Sequence, residues 1–327
     1  MFYIVVRFSG PRKSLPPSRP ILFTRRVWLS PIRCQMIRVT STIDGPPLTF
    51  NASVSGLAVY LDNFSLIDLA KGDPLRRKRF TDALRKGADL LFSVTNAAEL
   101  AGPQGRSLDA VRALLDEIGP RWFPVELNTV EVVNREIAGA SSSESCVSQK
   151  FMKDYFTDRL SNFSPGTASV VNLSKDFFRL GPVLDWVGPQ RDSIRRGMAD
   201  LDSALINRIT AYRLEFERSP AWLDQHFPAL PFNPLMPTTF TYVNLVRTII
   251  VNARAYQLKD GDGADFCHAV IASAFASVAT LDKHWKRRIE SLPKPNRLAC
   301  IYYGPELNAM VTDIERWLDN VAPPSLP

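Results

Sequence analysis

The feature that most limits how this chain folds is an alternation of short apolar runs with segments of helical spacing. The run Gly56-Leu57-Ala58-Val59-Tyr60-Leu61 ends at Asp62, and apolar residues at three- and four-residue spacing follow through Ala70. A basic amphipathic stretch over 74–87 reads as a helix closed by Gly87. Residues 88–93 form a second apolar run, and the helical stretch 95–100 after it carries Glu99. A helix is expected over 107–118 and a third strand at 122–125. Near the other end, 262–275 reads as a helix, 276–281 as a strand ending at Asp282, 297–303 as a strand and 305–318 as a closing helix. Strands alternating with helices predict an α/β fold in which a central parallel sheet is flanked by helices, with sites at the carboxyl ends of the strands.

Between about 128 and 258 the pattern changes to helical segments separated by Ser, Pro and Gly, and a mainly helical insertion is expected there. Its clearest helix spans 191–217, with Ile194, Met198, Leu201, Leu205, Ile209, Tyr212 and Phe216 on one stripe. The proline-rich stretch 227–237 reads as extended, and 240–257 as a further helix.

Composition narrows the class. The chain has 327 residues, 45% hydrophobic and 22% charged, as a soluble globular protein would. No run of apolar residues reaches the length of a membrane span, so no membrane partner is expected. Cys34, Cys146, Cys267 and Cys300 are scattered without a C-x-x-C pair, which suggests reduced thiols, a cytoplasmic setting and no zinc knuckle. The net charge of +7 is misleading as a nucleic-acid signal. Residues 1–43 hold eight basic residues and no acid, so the remainder is close to neutral. That leader lacks a hydrophobic period, and residues 1–50 are expected to stay outside the fold. It reads first as an upstream translation start with Met36 the true first residue, then as a basic disordered arm, and last as an organelle transit peptide. The folded domain is then 51–327, with the insertion inside it.

Four acids stand at places that such a sheet brings to one crevice. Asp62 and Asp282 follow strands, while Glu99 and Asp265 lie in helices beside the sheet. A group of carboxylates without His or Cys ligands suits hard divalent ions such as Mg²⁺ or Mn²⁺. Such ions activate water and hold the attacking and leaving oxygens of a phosphodiester in line.

The segment Leu61-Asp62-Asn63-Phe64-Ser65-Leu66-Ile67-Asp68-Leu69-Ala70 resembles the opening motif of PIN-like domains, and Ser93 to Glu99 resembles their second acidic segment. Asp262-Gly263-Ala264-Asp265-Phe266-Cys267-His268-Ala269, with Ala279-Thr280-Leu281-Asp282-Lys283 after it, resembles the third and fourth. The resemblance implies a PIN-like three-layer fold and an endoribonuclease, toxin-like in its chemistry, that uses Mg²⁺ or Mn²⁺. Asp62, Glu99, Asp265 and Asp282 would be its catalytic, metal-centred acids. The family often has a small hydroxyl residue after the first Asp, whereas this chain has Asn63 and then Phe64. RNA is the implied substrate, and the helical insertion offers a surface for a protein partner. An inactive PIN-like scaffold that binds RNA or protein, and a DNA nuclease, are the alternatives.

Neighbouring residues extend the candidate set. Asp262 reads either as a helix cap or as a supplementary metal carboxylate. Thr280, Asn96 and His268 are candidates for orienting the ligands from behind, although a histidine at such a position is more often packed between helices. Lys283, Lys286 and Arg287 follow Asp282 and are candidates for phosphate contact. The run Arg76-Arg77-Lys78-Arg79 reads mainly as a solvated helix face, and Trp285 as a core residue.

Overall fold

The computed structural model describes residues 37–40, 49–52, 54, 56–102, 106–161 and 175–320. Its elements begin with β1 (Ile37–Thr40), β2 (Thr49–Ala52), β3 (Leu57–Tyr60), α1 (Asn63–Lys71), α2 (Pro74–Lys86), β4 (Ala88–Phe92), α3 (Val94–Leu100), α4 (Arg106–Ile118) and β5 (Trp122–Pro124). The helical middle contains α5 (Thr129–Ile137), α6 (Ser142–Cys146), α7 (Gln149–Ser161), α8 (Pro182–Val187), α9 (Arg191–Arg218), α10 (Ala221–His226) and α11 (Pro237–Val251). The chain then returns to the sheet through α12 (Asp262–Phe275), β6 (Val278–Thr280), α13 (Lys283–Glu290), β7 (Cys300–Tyr302) and α14 (Leu307–Asn320).

Five strands form one sheet in the order β5-β4-β3-β6-β7, and every pair is parallel. Helices cover it, so its strands are mostly apolar and buried rather than alternating. All five residues of β4 are buried, including Asp89, which pairs with Arg121 at 2.7 Å. The expected mixed α/β architecture with a central parallel sheet flanked by helices is therefore present.

The helical middle does not stand apart from this sheet. α9 packs on α3 and α12, α11 packs on α5 and α12, and Leu205, Ile209, Leu245 and Ile249 join the buried core. α11 begins at Pro237, several residues before the predicted start, because proline is well suited to the first helical position. It ends at Val251 with Asn252 as its cap, short of the predicted 257.

The leader also differs from expectation. Ile37–Thr40 pairs antiparallel with Thr49–Ala52, in the register Ile37↔Ala52, so part of residues 1–50 has regular structure. β-branched residues at 37, 39, 40 and 49 favour that pairing, a signal that the basic and proline-rich surroundings conceal. The rest of the leader lies outside the described residues. Among the described residues no helix is long and apolar enough to cross a membrane.

A candidate acidic site at the strand ends

β3 and β6 are neighbours, with Tyr60 opposite Ala279, so Asp62 and Asp282 leave the sheet side by side. Asp62 caps α1, its Oδ1 accepting the Ser65 amide at 2.9 Å. The same oxygen accepts the Thr280 hydroxyl at 3.1 Å, and Thr280 Oγ accepts the Asp62 amide at 3.0 Å. Asp62 therefore has a helix-capping role in addition to any chemistry. Asp282 precedes α13 as its cap residue but makes no side-chain cap hydrogen bond.

β4 delivers the next group. Ser93 and Asn96 form a capping box at the start of α3, and Asn96 donates to Asn63 Oδ1 at 3.1 Å. Asn63 in turn donates to Glu99 Oε2. Asn63 thus links the segment after β3 to the segment after β4. Glu99 reaches solvent, yet neighbouring protein partly desolvates its carboxylate. That desolvation raises its pKa, opposed by the Asn63 hydrogen bond and by the charge of Arg195.

Asp265 sits on α12, facing the other acids. Burial raises its pKa to about 6, assisted by the charges of Asp282, Asp262, Glu99 and Asp202. Asp265 feels the charges of Glu99 and Asp282, and Asp62, Glu99 and Asp265 all act on the Tyr60 hydroxyl.

Asp202 was not anticipated. It comes from α9, and Oδ1 accepts the amides of Gly263 and Ala264 at 2.7 and 3.1 Å while Oδ2 accepts that of Gly261 at 3.0 Å. A carboxylate from another helix thus caps α12, which requires the chain to turn through Gly261 at φ +94°. Asp262 is the first helical residue and not the cap; its Oδ2 accepts the Lys259 amide at 2.6 Å. The available signal was an aspartate on the apolar stripe of α9, between Met198 and Leu205.

The remaining candidates separate. Thr280 is buried and holds Asp62. His268 is hydrogen-bonded to the Tyr60 hydroxyl, and burial lowers its pKa to about 4 against the pull of Asp62, so it is a neutral packing residue at pH 7. Lys286 is engaged by Glu306 at 2.6 Å, which removes it as a free phosphate contact. Lys283 and Arg287 are exposed. Trp285 is buried as expected. Arg76, Arg77, Lys78 and Arg79 pair with Asp68, Glu117, Asp82 and Glu315, so that run is a network of surface ion pairs. Phe64, 69% exposed, stands two residues after Asp62 and against Gly304.

The donor chemistry suits a hard divalent ion. It is all oxygen, the Asp265 carboxylate is perturbed by burial and like charges alone, and Asp282 has no cap bond to give up. Among the described residues, no three His, Cys, Asp or Glu side chains form a group that could hold a metal ion. No family model, no curated protein and no solved structure matches this chain.

Proposed function

We propose that this protein is a PIN-like, Mg²⁺- or Mn²⁺-dependent endoribonuclease. One observation supports this reading above others: Asp62, Glu99 and Asp282 follow neighbouring parallel strands, and Asp265 on α12, raised by burial, also feels the charges of Asp282, Asp262 and Glu99. Asp62, Glu99, Asp265 and Asp282 would hold the ion, and Asp262 lies close enough to add charge. When bound, the ion supplies charge neutralisation at the scissile phosphate and activation of water.

The chain's own residues supply orientation. Thr280 and the Ser65 amide hold one Asp62 oxygen, which directs the other outward. Asn96 and Asn63 tether Glu99. Lys283 and Arg287 offer exposed positive charge to the phosphates beside the acids. Phe64 offers an apolar ring on which an unpaired base can stack.

Because no three such side chains form a group that could hold a metal ion among the described residues, an inactive RNA-binding scaffold is the second reading. Incubating the purified full chain with a mixed panel of RNA and single-stranded DNA, in Mn²⁺, Mg²⁺ or chelator, separates the two. Metal-dependent cutting of RNA supports the nuclease. Absence of cutting on every strand in both metals replaces it with the scaffold.

A further inference from the structure

A cavity of about 410 Å³ opens between α9 and the segments that follow β4 and β5. Leu127, Ile194 and Met198 give it apolar walls, and Thr95, Glu126 and Asn128 bring polar groups into it. Its volume falls in the range of pockets that enclose a small molecule or one nucleotide.

Cavity and acids share two helices. On α3, Thr95 lines the cavity and Glu99 lies one turn further on, about 6 Å along the axis. On α9, Ile194 lines the cavity and the next residue, Arg195, acts on Glu99. A strand with a phosphate at the acids therefore has its neighbouring base within reach of the cavity.

Glu126 fixes a carboxylate there. Its Oε1 accepts the Asn128 amide and its Oε2 the Ser148 hydroxyl, both at 2.9 Å, and each oxygen has a further lone pair. Gly197 keeps the space open. It lies inside a 28-residue helix, where glycine is less favourable than alanine, and it lines the cavity. A Cβ on Gly197 would meet no atom within 4 Å, so backbone packing does not demand glycine at this position.

We propose that this cavity receives one unstacked nucleobase of the strand whose backbone passes the acids, and that Glu126 favours bases carrying an exocyclic amino group. The proposal rests on the nuclease reading for the direction of the strand. The apolar walls sandwich a flat ring, and the carboxylate accepts from the amino group of adenine, cytosine or guanine. Uracil presents carbonyl oxygens on both sides of its single N–H, and these repel the carboxylate.

The test measures binding and cutting separately on the full chain. Binding is followed by fluorescence anisotropy in Ca²⁺, with labelled uridine oligomers that carry a central adenine, cytosine or uracil. Cleavage of the same strands is followed in Mn²⁺. Wild type is expected to bind the adenine and cytosine strands about 10-fold more tightly than the all-uracil strand. Glu126→Gln should narrow that ratio to less than about 3-fold. Gly197→Trp should weaken binding of the adenine strand by about 10-fold, and Gly197→Ala should not.

Equal binding of all strands by wild type, or no binding of any, overturns the cavity proposal. Cutting with no base preference and no sensitivity to Gly197→Trp overturns the cavity and leaves the nuclease standing. Cavity-dependent binding without cutting does the reverse. If Gly197→Trp does not fold, the ratio measured for Glu126→Gln decides. Occupation by a protein segment instead would appear as Gly197→Trp altering a protein contact while RNA binding stays unchanged, which also overturns the proposal.

Discussion

The Thr280 hydroxyl bridges Asp62 twice, accepting its amide at 3.0 Å and donating to its Oδ1 at 3.1 Å. Valine keeps the shape of threonine but removes both bonds and leaves a partly buried amide without a partner. Thr280→Val is expected to lower metal-dependent cleavage by about 10- to 100-fold and to cost about 1–3 kcal/mol of stability. Thr280→Ser should restore most of both. Single-turnover cleavage and denaturant unfolding measure the two effects, and wild-type activity in the valine variant would remove the bridge from the account.

Asp62→Asn and Asp282→Asn are each expected to abolish cleavage while the fold persists, because an amide keeps the shape and removes charge that an ion needs. Asp68 provides the control. It lies on α1 in an ion pair with Arg76 at 2.7 Å, and Asp68→Asn should cut RNA at close to the wild-type rate. Equal rates in all three variants would end the nuclease reading.

The burial of Asp265, with other acids nearby, makes stability depend on pH without metal. The pKa of Asp265 is raised in the folded state, to about 6, above its unfolded value near 4. The folded state holds this proton more tightly, so the resulting stability is fully present below pH 4 and is lost as pH rises through 6. Asp265→Asn should therefore raise the melting temperature in chelator at pH 7.5 and leave it unchanged near pH 4. Added Mn²⁺ should raise the wild-type melting temperature at pH 7.5 and have less effect on the variant. An unchanged difference between the two proteins across that pH range would show that burial and neighbouring charge do not raise the Asp265 pKa.

Asp202 and Gly263 form one unit. A Cβ on Gly263 would stand 2.8 Å from the Asp202 carbonyl oxygen, so Gly263→Ala forces α9 and α12 apart at the point where they lock. A loss of about 1–3 kcal/mol is expected. Asp202→Ala removes the acceptor of three amides and should cost about 2 kcal/mol. Both variants should also weaken Mn²⁺ binding, since α12 carries Asp265. Calorimetric titration of Mn²⁺ checks this, and unaltered affinity in a destabilised Asp202→Ala protein would detach the cap from the site.

The central strands and the helix at Asp262–Phe275 were legible because their signals are local: apolar runs bounded by acids, and apolar residues at helical spacing. The expectation that the four acids share one edge rests on parallel strands bringing their carboxyl ends together, and the neighbouring parallel strands β3, β4 and β6 are present. Other features depend on contacts distant in sequence. The capping of α12 by Asp202 crosses some 60 residues and leaves no local pattern except a polar residue on an apolar stripe. The role of Asn63 as a tether for Glu99 needs α1 and α3 to be neighbours. The engagement of Lys286 by Glu306 likewise needs α13 to lie near the turn after β7. The pairing of β1 with β2 was masked by a leader whose charge and prolines dominate its composition.

The sheet order has a consequence for synthesis. β3 lies between β4, which is made soon after it, and β6, which is made last but one; the Asp62 amide and its Thr280 partner are 218 residues apart. Contacts that close so long a loop form late and slow the final folding step. While the chain emerges from a ribosome, Asp62 and Glu99 are exposed for most of translation without Asp265 or Asp282. Asp265 and Asp282 follow Glu99 only after more than 160 further residues, so until then a nascent chain surrounded by ribosomal RNA carries two of these acids and not four.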